Sequence, residues 1–570
     1  MTNGRTHLSR PGRGRRLVRA AAWVGVVGLL VAGCGRIPTS GPVYHYNEPT
    51  AKATKSSPAY SPSGPSDGDS PSEILKGFIN AGTGVENDYA VARQFLTTDL
   101  AGTWKAEDRT LVYQDDVEVD SGKNSDEYTA GVKVTTSIDD RGIATSFRKA
   151  DAQTVTAKFE QVNGQWRISA IPNGTILSRS EFEQLFHSFT LYFYDPTFSF
   201  AVPDIRWFAN RSTVATSIVR VLLQGPAPYL SGSVASAIPG GTSLMRQSVP
   251  ISNSSAEVGL TGSGVSDADQ LTLERIHTQL EQTLQAGHSA NSVRLSVDDK
   301  SVDTGKLPDY EAASIDPQVP NPQVGVLDGN LVTYSDGQSR KIAGLVPDEV
   351  HPANPTMDTQ RQTYAYTNED GSHLAIRSTG GGAKDVDLSG NISSPSFDPR
   401  GWVWGGDKDG SVIALNSQGP DQEPQTLSAD WLKGQNIHSL QVSRDGTRAL
   451  VVTGEGDGSR VWMAGIKRDK DGTPRGLGEP LRVGATRNVT QATWISDSQI
   501  AVANAQDGSV QIVSLTGDTQ DVNGLSDIQH ISGGNGKESI YAQTSTDTYQ
   551  LTGSSWTRVD TKVRDLSYAG

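Results

Sequence analysis

Trp402-Val403-Trp404-Gly405-Gly406-Asp407-Lys408-Asp409-Gly410-Ser411-Val412-Ile413-Ala414-Leu415 decides the C-terminal half of this chain. It reads as strand, tight turn, strand, because an Asp-Gly pair between apolar runs suits a hairpin. The unit recurs in Asp370-Gly371-Ser372-His373-Leu374-Ala375-Ile376, in Asp457-Gly458-Ser459-Arg460-Val461-Trp462 and in Asp507-Gly508-Ser509-Val510-Gln511-Ile512-Val513. A short apolar strand precedes each copy: Thr363-Tyr364-Ala365-Tyr366, Leu450-Val451-Val452 and Ile500-Ala501-Val502. The aspartates are spaced by 39, 48 and 50 residues. Ser545-Thr546-Asp547-Thr548-Tyr549-Gln550-Leu551 is a degraded further copy, and Asn330-Leu331-Val332-Thr333-Tyr334-Ser335-Asp336-Gly337 starts an incomplete one.

Strand, Asp-Gly turn and strand at this period form the pattern of a β-propeller blade. The spacing predicts an all-β propeller of about six blades over residues 323–570. Seven is the alternative, since the longer intervals leave room for loops but hardly for a whole extra blade. Val563-Arg564-Asp565-Leu566-Ser567-Tyr568 looks like a blade's first strand, comparable with Ser439-Leu440-Gln441-Val442-Ser443. It is expected to close the first blade and so remove an aggregation-prone edge. Trp402 and Trp404 alternate about Val403 and read as blade core rather than as a ligand platform.

Upstream, a linker over 306–322 leads back to a domain at 180–305. A helix from near Ser212 to Gln224, with Val214, Ile218, Val221 and Leu222 inward, stops at Gly225-Pro226. A second, from near Ser266 to Ala286, carries Leu273, Ile276, Leu280 and Leu284 and ends at Gly287. Leu191-Tyr192-Phe193, Leu222-Leu223-Gln224-Gly225-Pro226, Ala237-Ile238-Pro239-Gly240-Gly241-Thr242 and Val293-Arg294-Leu295-Ser296-Val297 come in the order of the GerM-type α/β domain of spore-germination and envelope proteins. That resemblance carries no catalytic signature.

Residues 71–177 read as a smaller α+β domain. Ile74, Leu75, Phe78 and Ile79 share a helical face, and Tyr89, Ala92, Phe95 and Leu96 mark a second helix ending near Thr98. Strands follow over 111–119, 128–138 and 154–161. Asn163-Gly164, between alternating runs closing on Gln165-Trp166-Arg167-Ile168, signals a type I′ hairpin. Helices followed by such a sheet resemble the NTF2-like cone.

At the other end stand six arginines, Arg5, Arg10, Arg13, Arg15, Arg16 and Arg19, then an apolar run from Ala20 to Ala32. This is the order of a secretory signal peptide, here over 1–33. The run is too short for the ~20 residues of a bilayer span. Val31-Ala32-Gly33-Cys34 resembles a bacterial lipobox, and Cys34 is the chain's single cysteine. The resemblance implies lipid attachment at Cys34, as an S-diacylglycerol and an N-acyl chain such as palmitate, with signal cleavage before it. Arg15-Arg16 reads as leader charge rather than as a twin-arginine signal. Residues 34–70, rich in Pro, Ser, Gly and Thr, read as a disordered tether. Removing the six leader arginines lowers the basic count from 50 to 44 against 64 acidic residues, a net charge of −20. That balance argues against nucleic acid and against a second, polybasic membrane attachment.

Lipobox, tether, NTF2-like segment, GerM-type domain and propeller in this order resemble the actinobacterial LpqB lipoprotein family. The resemblance implies a lipid-anchored protein on the extracytoplasmic face of the cell membrane. It also implies a partner, the extracytoplasmic domain of the sensor kinase MtrB in the MtrA–MtrB two-component system, and with it a part in cell-envelope homeostasis.

Catalytic motifs do not stand against a non-enzymatic reading. No His-Glu-x-x-His, Gly-x-Ser-x-Gly or phosphate-binding Gly-x-x-x-x-Gly-Lys-Ser/Thr stretch occurs. Ser146-Phe147-Arg148-Lys149 spells Ser-x-x-Lys, but it lies in strand-like sequence and no Lys-Thr-Gly accompanies it. Asp407-Lys408-Asp409-Gly410 and Asp469-Lys470-Asp471-Gly472 offer too few ligands for calcium on their own. His277 reads as a boundary residue. The expectation is an interaction protein without catalytic residues, metal or cofactor. Its alternatives are a binding module for a cell-wall glycan or small ligand, in the cone or the propeller channel, and an envelope hydrolase with an unrecognised site.

Overall fold

The computed structural model describes Met1 and residues 62–570, apart from 123, 125, 306, 348–349, 389, 420–422, 485–487, 505–507 and 523. The lipobox residues Val31, Ala32, Gly33 and Cys34 lie outside the described residues, as does most of the expected tether.

Residues 62–70 run against the first domain rather than away from it. Pro62 is buried, and the Gly68 amide donates to Gln165 Oε1 at 2.8 Å. Ser70 then caps helix α1 (Pro71–Ala81): its hydroxyl accepts from the Glu73 amide while the Glu73 carboxylate returns to the Ser70 amide. Proline at the first helical position costs no hydrogen bond there. Ile74, Leu75, Phe78 and Ile79 are buried, as their spacing predicts.

This helix packs on a five-stranded sheet of β1 (Arg109–Ser121), β2 (Glu127–Asp139), β3 (Ala144–Val162), β4 (Gln165–Ala170) and β5 (Thr175–Ser178), in the order β4-β3-β2-β1-β5. The β3–β4 turn has Asn163 at φ 52° and Gly164 at φ 78°, the positive pair of a type I′ hairpin. The expected second helix is broken. Asn87, Asp88 and Tyr89 all take left-handed φ, and only Ala90–Arg93 and Thr98–Thr103 are helical around Phe95 and Leu96. The apolar spacing was right about burial and wrong about continuity: Thr97 accepts from the Leu100 amide and starts a new helix.

The second domain begins with a β-ribbon, β6 (Phe186–Tyr194) and β7 (Ala201–Ala209). Helices α2 (Val214–Gln224) and α3 (Gln270–Ala286) follow, with a small sheet centred on the parallel pair β8 (Ser255–Thr261) and β9 (Ser292–Val297). Helix α3 starts four residues later than its apolar stripe suggests, because the Asp269 carboxylate caps it by accepting from the Thr272 amide. Ile276, Leu280 and Leu284 are fully buried, while Leu273 is only half-buried. The remaining buried positions are polar. Gln279 donates to the Tyr192 carbonyl and accepts from the Ala237 amide, so it ties the helix to the ribbon.

The C-terminal region is β-propeller-like. Residues 323–341 with 564–567, then 353–387, 396–427, 437–482, 489–522 and 528–559, form successive antiparallel sheets of four strands, the fourth carrying one strand more. The inner strand of each touches that of the next, and the last touches Arg564–Ser567 of the first, so the circuit returns on itself. Arg564–Ser567 pairs with Gln323–Leu327, which joins the two ends of the region in one sheet. Trp404 is fully buried and Trp402 nearly so, in one apolar cluster between neighbouring sheets.

Candidate functional site

Two places in the fold gather polar side chains that local structure does not explain: the seam between the second domain and the propeller-like region, and a cleft between the first and second domains.

The seam has an apolar centre. Val202, Ala227, Tyr229 and Leu230 share a core with Leu450, Met463, Ala492 and Trp494. The turn Pro228–Leu230 approaches so closely that a Cβ on Gly465 would lie 2.6 Å from the Tyr229 carbonyl oxygen and would also strike Ser233 Oγ. Glycine is therefore required at 465 for the contact to form.

Ion pairs lie beside that core. Asp204 and Arg206 stand two apart on β7, hence on one face, and both are fully buried in a bidentate pair of 2.8 and 2.7 Å. The Asp204 carboxylate also accepts from the Ala227 amide, and Arg206 donates to the Arg141 carbonyl of the first domain. Across the seam, Arg448 is fully buried, 2.6 Å from Asp445, with its guanidinium 4.9 Å from the Trp494 ring centroid. Burial pushes the Tyr229 and Tyr192 hydroxyls far up, and the Asp497 carboxyl is raised by burial despite the nearby Arg448. Arg400 reaches Asp195 of the second domain at 3.2 Å.

The linker is stitched into the same face. Asp316 accepts from the Asp497 amide, and Val319 exchanges two hydrogen bonds with the Asn535 side chain. Arg444, also buried, donates to Asn535 and to the Gly534 carbonyl. A small space of about 40 Å³ lies among Arg444, Gln441, Thr493, His530 and Ser567.

The cleft is larger, about 260 Å³. The first domain supplies one wall through the loop before β1 and the β2–β3 turn, with Glu107, Asp108, Asp139 and Asp140. The second supplies the other through the end of β7 and helix α2, with Arg211 and Arg220 as its charged groups and the rings of Trp207, Phe186 and Phe208 beside them. One ion pair, Arg211 with Glu107, crosses between the walls, and Ser212 Oγ donates to Glu86 at 3.4 Å. The hairpin tip is fixed: Trp207 N donates to the Gly142 carbonyl, and Arg141 donates to the carbonyls of Gly225 and Pro226. Tyr89 is buried at the edge, its hydroxyl pushed up first by burial and then by Glu107.

The other residues singled out in the sequence are held by local structure. The Asp407 carboxylate accepts from the amides of Asp409 and Ser411, and Asp471 accepts from that of Thr473, as hairpin turns require. Among the described residues no three His, Cys, Asp or Glu side chains group as metal ligands. Ser146 lies within β3. His277 bonds the Val293 carbonyl through Nε2 at 3.0 Å. Among the described residues no helix is long and apolar enough to cross a membrane. The buried pairs of the seam went unpredicted. Their one signal in the sequence is an Asp-x-Arg step inside a strand, Asp204-Ile205-Arg206.

Three family models match consecutive parts of the chain: "Lipoprotein LpqB, N-terminal domain" at residues 64–183, "Sporulation and spore germination" at 190–303, and "Lipoprotein LpqB beta-propeller domain" at 329–566. Curated relatives named lipoprotein LpqB include one from Bifidobacterium longum, 27% identical over 78% of this chain and 77% of its own length. Another, from Thermobifida fusca, is 25% identical over 88% of this chain and 90% of its own. A third, from Mycolicibacterium smegmatis, is 26% identical over 87% and 88%. A solved structure of a nidogen–laminin complex aligns with 44% of this chain and 98% of its own at 11% identity and a TM-score of 0.34, too distant to carry residue roles. Matched in this order and over most of its length, the chain belongs to the LpqB lipoprotein family.

Proposed function

We propose that this protein is a lipid-anchored, extracytoplasmic docking protein without catalytic activity, whose partner is the sensor domain of a membrane kinase of the MtrA–MtrB type. In this reading the 1–33 signal peptide is removed, Cys34 carries the diacylglycerol and an N-acyl chain, and the following residues act as a tether. The N-terminal segment is an NTF2-like cone, and the C-terminal sheets are the six blades of one propeller. The observation that supports docking best is the seam. A shared apolar core, flanked by buried ion pairs, joins the GerM-type domain to the propeller, so loops from both can present a composite surface. Anchoring confines that surface near partners in the same membrane and raises their effective concentration without new contacts. Large exposed apolar side chains among the folded residues are scattered, as at Val162, Ile251, Leu271 and Ile315, which favours a polar, weak contact over an obligate one.

The test is calorimetry with the soluble chain from residue 62 onward and the purified sensor domain. Saturable binding by the whole chain, weakened when the seam is disrupted, supports the proposal. Absence of heat and of cross-links in intact membranes would remove the partner.

A further inference from the structure

The walls of the interdomain cleft differ in sign. Every charged side chain that the first domain turns to it is acidic, and every one from the second is an arginine. Complementary walls of this kind glue domains together when they close on each other. Here only Glu107 and Arg211 do so, and about 260 Å³ stays open beside them. Three aspartates and an arginine remain on the walls. The Asp108 carboxylate accepts from Asn173 and Asp139 caps its own turn, so both are spoken for. Asp140 makes no hydrogen bond or ion pair with a described residue and is exposed at the hairpin tip. Arg220 donates through one nitrogen to the Gln247 carbonyl, which leaves the rest of its fork of donors open. The lining also includes the rings of Trp207 and Phe186.

We infer that the cleft binds a small zwitterion, an amino acid or dipeptide, with its ammonium group toward Asp140 and its carboxylate toward Arg220. The aromatic rings take the apolar side chain, and they also favour a cation at their faces. A guanidinium suits a carboxylate because both are planar and bidentate. The volume, just under the ~300 Å³ lower bound of small-molecule sites, admits a ligand of this size and not an extended chain. The inference stands apart from the docking proposal, since it concerns another surface and fails separately from it.

The experiment titrates the full chain in detergent with phenylalanine and with alanyl-phenylalanine, each followed by calorimetry up to about 10 mM, where a weak site with few charge-assisted contacts would still register. The N-acetylated and C-amidated forms of each serve as controls. At least one free zwitterion should bind saturably, and blocking either end should weaken it about tenfold, as loss of one charge-assisted hydrogen-bonded contact does. Asp140→Asn and Arg220→Gln should each weaken it to a similar degree while leaving the melting curve in place, and Arg220→Lys should restore part of the loss. Failure of both free compounds to bind overturns the inference. Binding indifferent to end-blocking, or to both substitutions, overturns it equally.

Discussion

Asp497 sits where the propeller face meets the linker, and burial raises its carboxyl above the ordinary value, with Asp316 adding to the effect and Arg448 opposing it. Its folded state therefore holds the proton more tightly than its unfolded state. Well below the ordinary carboxyl pKa both states are protonated and Asp497 costs nothing. As pH rises through the folded value the cost appears, and above it the cost is constant. Asp497→Asn should accordingly stabilise the protein at pH 7. That difference from the parent should vanish near pH 3. Urea melts of both proteins at the two pH values check this, and an equal difference at both would refute the titration argument. The residue also shows what a sequence conceals. Asp497 reads there as one more turn aspartate, as Asp407 and Asp471 are, and only folding brings it beside Asp316, Arg448 and Tyr192. The same holds for Asp445 and Arg448, which lie near Tyr229, more than two hundred positions earlier in the chain.

At the scale of elements, the strand Arg564–Ser567 carries more than its length suggests. Val563 and Leu566 are each 2% exposed, and burying two such side chains is worth about 4 kcal/mol. Deleting residues 563–570 should lower stability by at least that much, because it also unpairs the backbone of Val324 and Val326. Chemical denaturation followed by tryptophan fluorescence measures it, and an unchanged midpoint would show that the ring does not depend on this closure. Elements of this kind were legible because strand, turn and strand leave a period-two pattern punctuated by glycine, as Trp402–Leu415 shows. Helix α1 was legible through its apolar face. The broken helix at 87–103 was not, since three residues of left-handed backbone without glycine leave no compositional trace. The cleft was equally invisible: Asp140 and Arg220 belong to a hairpin tip and a helix that only the packing of two domains brings together.

For the whole molecule, the proposed anchor would decide where the work is done. Cys34→Ala should leave an uncleaved precursor or a released protein, because the thioether needs that sulfur; detergent partitioning and mass spectrometry of the membrane fraction read the result. In cells, an anchored form should change kinase output more than an equal amount of a secreted form, as confinement predicts. Equal output from the two would take away the role proposed for the lipid, whatever the affinity measured in solution.

The pairing of Val324 with Ser567 also imposes a schedule. A chain is made from its N-terminus, and the first propeller sheet lacks its innermost strand until about 240 further residues exist. At ~5–20 residues per second that wait is roughly 10–50 s. Throughout it, the backbone of Gln323–Leu327 stands open on one side while five later sheets are still being laid down. The two upstream domains have no such debt and can fold as they emerge. A nascent propeller of this kind is a client for whatever holds unfinished chains soluble, and any product cut short before Val563 reaches the envelope as a ring that cannot shut.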